Sequence, residues 1–89
     1  MYDVVLTTLA AKQLRACDHT VARRIQGAIE LLRKNPHPPK ARKLSGRDGY
    51  RVRVGGYRII YDVIDRQLII RVLRLGHRRD IYRSQTLTS

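Results

Sequence analysis

A chain of 89 residues has room for one small domain and one modest hydrophobic core. Nineteen basic residues against seven acidic ones leave a net charge of +12, spread along the chain, which points to a polyanionic partner: nucleic acid, an acidic protein, or both. The single cysteine, Cys17, excludes an intrachain disulfide and gives no zinc-ligand spacing, and no apolar run approaches the roughly 18 residues of a membrane span. The N-terminus has no basic segment followed by an apolar one, so a cytoplasmic location is the expectation.

In chain order, Tyr2-Asp-Val-Val-Leu6 reads as a short strand by its β-branched content. Thr7 or Thr8 is placed to cap a first helix, which runs to about Cys17 with Ala10, Ala11 and Leu14 on one side. Asp18-His19-Thr20 supplies a turn and a second cap. Val21, Ile25, Ala28, Ile29 and Leu32 then form the stripe of an amphipathic helix ending near Lys34, with Arg23, Arg24, Glu30 and Arg33 facing away. Asn35-Pro36-His37-Pro38-Pro39 stops that helix, because proline lacks the amide donor. Residues 40–49 read as a basic connection across one end of the sheet.

Residues 50–54 and 57–63 are two alternating, β-rich runs around Gly55-Gly56, the signature of a hairpin with a two-residue turn. That turn sets Val54 opposite Tyr57, Arg53 opposite Arg58, Val52 opposite Ile59 and Tyr50 opposite Tyr61. One face is then apolar, and the other clusters Arg51, Arg53 and Arg58. Like charges directly opposed across strands are destabilising, so this cluster calls for an anion. A second tight turn at Asp65-Arg66 predicts Val63 opposite Leu68, Tyr61 opposite Ile70 and Ile59 opposite Val72, with Arg71 joining the arginine face beside the aliphatics Ile60, Ile69 and Leu73. Gly76 is expected to end the last strand. Fifteen of the nineteen basic residues are arginine, whose planar fork suits bidentate phosphate contact. The fold class is α+β, in the order β-α-α-β-β-β: a small, mostly antiparallel sheet with an αα-hairpin on one face. Residues 1–83 form a single domain, and 84–89 a polar, frayed tail.

Several enzyme templates are missing. The seven carboxylates are scattered, and there is no Gly-rich phosphate loop, no serine–histidine motif and no pair of metal-ligand histidines. No cofactor or metal is expected. An arginine cluster with a histidine and a tyrosine near it fits metal-free phosphoryl chemistry on RNA, the arginines stabilising the charge of a pentacoordinate phosphorane and histidine or tyrosine moving protons.

Three stretches are telling: Lys43-Leu44-Ser45-Gly46, Gly56-Tyr57-Arg58-Ile59-Ile60-Tyr61, and Gly76-His77-Arg78-Arg79-Asp80-Ile81-Tyr82-Arg83. Through them, and over nearly its whole length, the chain resembles the RelE-type toxins of type II toxin–antitoxin pairs, within the RelE/ParE superfamily. The resemblance implies a ribosome-dependent endoribonuclease that cuts mRNA by attack of a 2′-oxygen on the adjacent phosphate. It implies Arg51, Arg53, Arg58, Arg78 and Tyr82 as active residues. Arginine stands at 51 and 53 where well-studied members carry lysine, and arginine is no practical general base, so His77 is a candidate to share proton transfer with Tyr82. The implied partners are an acidic antitoxin, the ribosome with its mRNA, and operator DNA bound jointly with the antitoxin. Two other functions compete: gyrase poisoning, as in the ParE branch, and a non-catalytic module that binds nucleic acid or a partner.

Overall fold

Thr7 and Asp18 decide where the two helices begin. In the computed structural model, which describes residues 1–77, the Thr7 hydroxyl accepts from the Ala10 amide at 3.0 Å and opens α1, Thr8–Ala16. The same hydroxyl donates to the Leu73 carbonyl at 2.7 Å, so the cap also fastens the helix to the sheet. The Asp18 carboxylate accepts from the Val21 amide at 3.0 Å, which starts α2 at His19 (His19–Lys34), two residues ahead of the position expected from the apolar stripe. Each such cap contributes about 1 kcal/mol.

The strands are β1 Asp3–Leu6, β2 Arg42–Lys43, β3 Tyr50–Val54, β4 Tyr57–Ile64 and β5 Ile69–His77. They make one sheet in the order β1-β5-β4-β3-β2, with β1 parallel to β5 and the other pairs antiparallel. Ala10 of α1 and Ile25, Ile29 and Leu32 of α2 close over Val52, Ile59, Tyr61, Ile70, Val72 and Leu75, all of them buried. The helical stripe thus covers the face that the β3–β4 alternation left apolar, each full burial of an aliphatic chain contributing about 1.5–3 kcal/mol. Tyr61, fully buried, donates its hydroxyl to the Pro36 carbonyl at 2.8 Å and stacks on Tyr50 at 5.7 Å. The α+β class, the αα-hairpin on one face and the entire β3–β4 register are as the sequence predicts.

Three expectations are corrected. The stretch 40–49 is not only a connection: Arg42–Lys43 pairs antiparallel with β3, adding a fifth strand at the sheet edge. Gly49 shapes its return; with φ 119° and a would-be Cβ only 3.1 Å from the Tyr61 carbonyl oxygen, the position excludes a side chain. The β4–β5 turn is longer than Asp65-Arg66. A 3-10 turn, Asp65–Gln67, followed by Leu68 in the left-handed region at φ 54°, sets Val63 opposite Ile70 and Tyr61 opposite Val72. That is a slip of two residues, which moves the pairing without turning any side chain to the other face.

A register shift then falls between Ile60 and Tyr61, whose partners are Arg74 and Val72, leaving Leu73 over. This bulge reverses the alternation of β5 beyond it. Leu75 enters the core opposite Ile59, and Arg74, which strict alternation would have put there, pairs with Ile60 on the opposite face. Gly76 does not end the strand, which continues to His77. Arg78, Tyr82 and the tail expected at 84–89 lie outside the described residues.

Candidate functional site

The face of the sheet away from the helices carries the arginines, and register alone builds their arrangement. Residues paired across strands share a face, so Arg42, Arg51, Ile60 and Arg74 form one row across β2, β3, β4 and β5. Arg53 and Arg58, one step nearer the hairpin turn, form a second row. Gly55, with φ 60°, takes the first position of a turn that needs a left-handed residue there, and so fixes which residues face each other. Arg51, Arg53 and Arg58 are brought together as predicted.

Burial separates the members. Arg53 is exposed and Arg51 half-buried, whereas Arg58 is only 3% exposed. Its neighbour Ile60, expected to be an exposed aliphatic, is 5% exposed. A depression of about 320 Å³ is lined by Lys40, Arg42, Arg51 and Arg53, with no acidic or apolar residue among them. Lys40 and Arg42 were not singled out by sequence. Their stretch has no alternating apolar pattern, and only the pairing with β3 aligns Arg42 with Arg51.

Arg71 does not extend the cluster. It lies opposite Asp62, and the two side chains make a double hydrogen bond, Nε to Oδ1 at 3.0 Å and Nη2 to Oδ2 at 2.5 Å. This contact raises the guanidinium's pKa above its ordinary value and neutralises the face toward β1. Arg33 is likewise structural: its guanidinium donates to the Tyr2 carbonyl at 3.0 Å and pairs with Glu30.

His77 is displaced from its expected neighbours. It pairs with Tyr57, on the helix-covered face, and meets that ring edge-on at 5.6 Å. Its imidazole nevertheless reaches the turn: a Cβ on Gly56 would lie 3.3 Å from Nε2. There a depression of about 150 Å³ is lined by His77 and Tyr57 together with Arg53 and Arg58. His77 therefore borders the arginine cluster around the end of the hairpin, without standing in it.

Cys17 donates to the Gln13 carbonyl at 3.3 Å, and burial pushes its thiol pKa up, so it is not an activated nucleophile. Tyr50, Tyr57 and Tyr61 all pack against the core, as expected of them. His37 meets Tyr50 edge-on at 5.0 Å. Among the described residues no cluster of His, Cys, Asp or Glu could hold a metal, and no helix is long and apolar enough to cross a membrane.

The family model for the ParE toxin of the type II toxin–antitoxin system, parDE, matches residues 4–82. An Escherichia coli protein bearing a provisional RelE-like toxin name is 33% identical over 85 residues, covering 91% of this chain and 90% of that protein. In the solved structure of the intact E. coli RelBE toxin–antitoxin complex, a chain superposes with a TM-score of 0.77 at 28% identity, covering 86% of this chain and 96% of its own. The archaeal RelE–RelB complex from Pyrococcus horikoshii gives 0.74 at 29% identity, covering 86% and 94%.

Proposed function

Since the chain belongs to the RelE/ParE superfamily of type II toxin–antitoxin toxins, we propose that it is a ribosome-dependent endoribonuclease that cleaves mRNA and so arrests translation. The observation that carries this proposal is the arginine face: Arg51, Arg53 and Arg58 converge in register, beside a basic depression that no carboxylate enters. Like-charged side chains aligned across strands in this way favour a polyanion on the surface.

In the proposed reaction the 2′-oxygen of the mRNA attacks the adjacent phosphorus and the bond to the leaving 5′-oxygen breaks. The products are a 2′,3′-cyclic phosphate and a 5′-hydroxyl. The proton of the 2′-hydroxyl goes to a base, and another is delivered to the 5′-oxygen. Arg51 and Arg53 hold the phosphate; Arg58, with Arg78, meets the charge that builds on its non-bridging oxygens. Arg58 is fitted for this by burial, because a guanidinium screened from water acts more strongly on a developing anion. Proton transfer falls to Tyr82 and to His77, whose ring borders Arg53 and Arg58 at the hairpin end. No step needs a metal or cofactor.

The partner proposed is an acidic antitoxin, in keeping with the RelB-bound complexes in which similar chains are found. It would hold the toxin inactive and join it on operator DNA. Action on the ribosome and pairing with such an antitoxin would make the cytoplasm its place of work.

The family model matched is that of ParE, which favours one alternative, poisoning of gyrase. Mapping mRNA 5′ ends in a translating extract separates the two. Endonuclease action gives new, codon-phased ends that disappear with Arg58→Ala. Gyrase-dependent DNA breaks with intact mRNA would overturn the ribonuclease assignment.

A further inference from the structure

We propose that Lys40 and Arg42 form a second phosphate subsite on the sheet edge, which holds a backbone phosphate next to the one held by Arg51 and Arg53. The proposal rests on the assignment of the arginine face to RNA and specifies where the strand continues from it.

Four observations converge. The depression lined by Lys40, Arg42, Arg51 and Arg53, at about 320 Å³, has room for a phosphodiester and several waters. None of these four side chains has an ion-pair partner among the described residues, whereas Arg71, on the other side of the sheet, is consumed by Asp62. Among the described residues, unpaired positive charge on this face therefore extends outward from the hairpin to β2 as well as to Arg74 on β5, and stops at Arg71 on the side of β1. Arg42 stands directly opposite Arg51, a second like-charged pair beside Arg53 and Arg58. Arg51 and Arg53, two residues apart on one strand, are separated by about 7 Å, comparable to neighbouring phosphates of an extended single strand.

Arg42 is also oriented before any ligand arrives. Its Nη1 donates to the carbonyls of Pro39 at 3.0 Å and Ala41 at 3.4 Å. The guanidinium is braced against the turn at Pro39 and Lys40 while its remaining donors stay available for phosphate oxygens. Each side chain has one role: Arg42 is the braced fork, Lys40 an exposed point charge, and Arg51 a bridge between the two subsites.

The test uses a short 2′-O-methyl oligoribonucleotide, which cannot be cleaved, with single methylphosphonate linkages that neutralise one phosphate at a time. Binding is followed by fluorescence anisotropy at low salt. In the native protein, neutralising either of two adjacent phosphates should weaken binding by about tenfold, the size of one charge-assisted hydrogen bond. In Lys40→Ala/Arg42→Ala one of these two penalties should vanish and the other persist, and the slope of log affinity against log salt should fall by about 1. In Arg23→Ala, a change on the exposed side of α2, the profile should match the native one. A double variant with the native profile, or with every penalty reduced equally, overturns the subsite. Arg51→Ala/Arg53→Ala binding as the native protein does would instead overturn the assignment of the arginine face to RNA.

Discussion

Arg53 and Arg58 stand directly opposite each other in the β3–β4 ladder, Arg58 almost fully buried and Arg53 open to solvent. Opposed like charges destabilise a strand pair by a few tenths to about 1 kcal/mol. In the proposed site both charges serve the phosphate, which gives a functional reason for placing them opposite each other. Arg53→Gln should therefore stabilise the free protein by up to about 1 kcal/mol, seen as a higher urea midpoint, while weakening its affinity for RNA. Inorganic phosphate should narrow the difference by stabilising the native protein more, as any ligand of the folded state does. A variant less stable than the native protein would show that the pair is not strained.

Arg58 should dominate catalysis. Arg58→Ala is expected to lower the appearance of cleaved mRNA ends by about 10²–10³, the scale of losing one charge-stabilising donor. Its burial means that truncation also perturbs packing, so circular dichroism and the unfolding midpoint must accompany the assay. Arg58→Lys, which keeps a charge but not the fork, should recover part of the activity. Cleavage at the native rate in a folded Arg58→Ala protein would remove Arg58 from the site.

The hairpin is fully legible in sequence because two local rules, turn chemistry at Gly55-Gly56 and alternation around it, agree. Between them they put Arg51, Arg53 and Arg58 on one face. The β4–β5 pairing is legible only modulo two residues: pattern fixes the face, but the length of the turn depends on Leu68 adopting a left-handed backbone, which no sequence rule assigns to leucine. The bulge has a signal in hindsight, since unbroken alternation would drive Arg74 toward the core. It also explains His77, which the same reversal carries to the face of Tyr57. Strand β2 has none. Its two residues are held by pairing with β3, so Arg42, and the basic depression with it, follow from tertiary structure.

Gly27 is a place where the chain is less stable than it need be. It lies in the middle of α2, exposed, and a Cβ there would meet nothing within 4 Å. Replacing a helical glycine by alanine removes backbone freedom from the unfolded chain at no steric cost, so Gly27→Ala should stabilise by about 1 kcal/mol. A denaturant titration measures it directly. Activity should not change, because α2 packs on the face opposite the arginines. A gain in stability accompanied by lost toxicity would assign Gly27 a contact with a partner.

Tyr61 should give the fold a defined alkaline limit. Burial, with a smaller contribution from Tyr50, pushes its phenol up to about 12, from 10.0 for an ordinary tyrosine. The folded state thus prefers the protonated phenol more strongly than the unfolded chain does. The stability this confers is complete below pH 10 and declines as pH rises from 10 toward 12, because only the unfolded chain then gains by ionising. Tyr2, raised by its hydrogen bond to Asp65, acts in the same direction. In Tyr61→Phe the hydrogen bond to Pro36 is lost, at a cost of about 1 kcal/mol near neutrality. Above pH 10 the variant should lose stability less steeply than the native protein, and the two midpoints should converge. Parallel declines in urea midpoints measured from pH 8 to 12 would mean that Tyr61 ionises without unfolding the core around it.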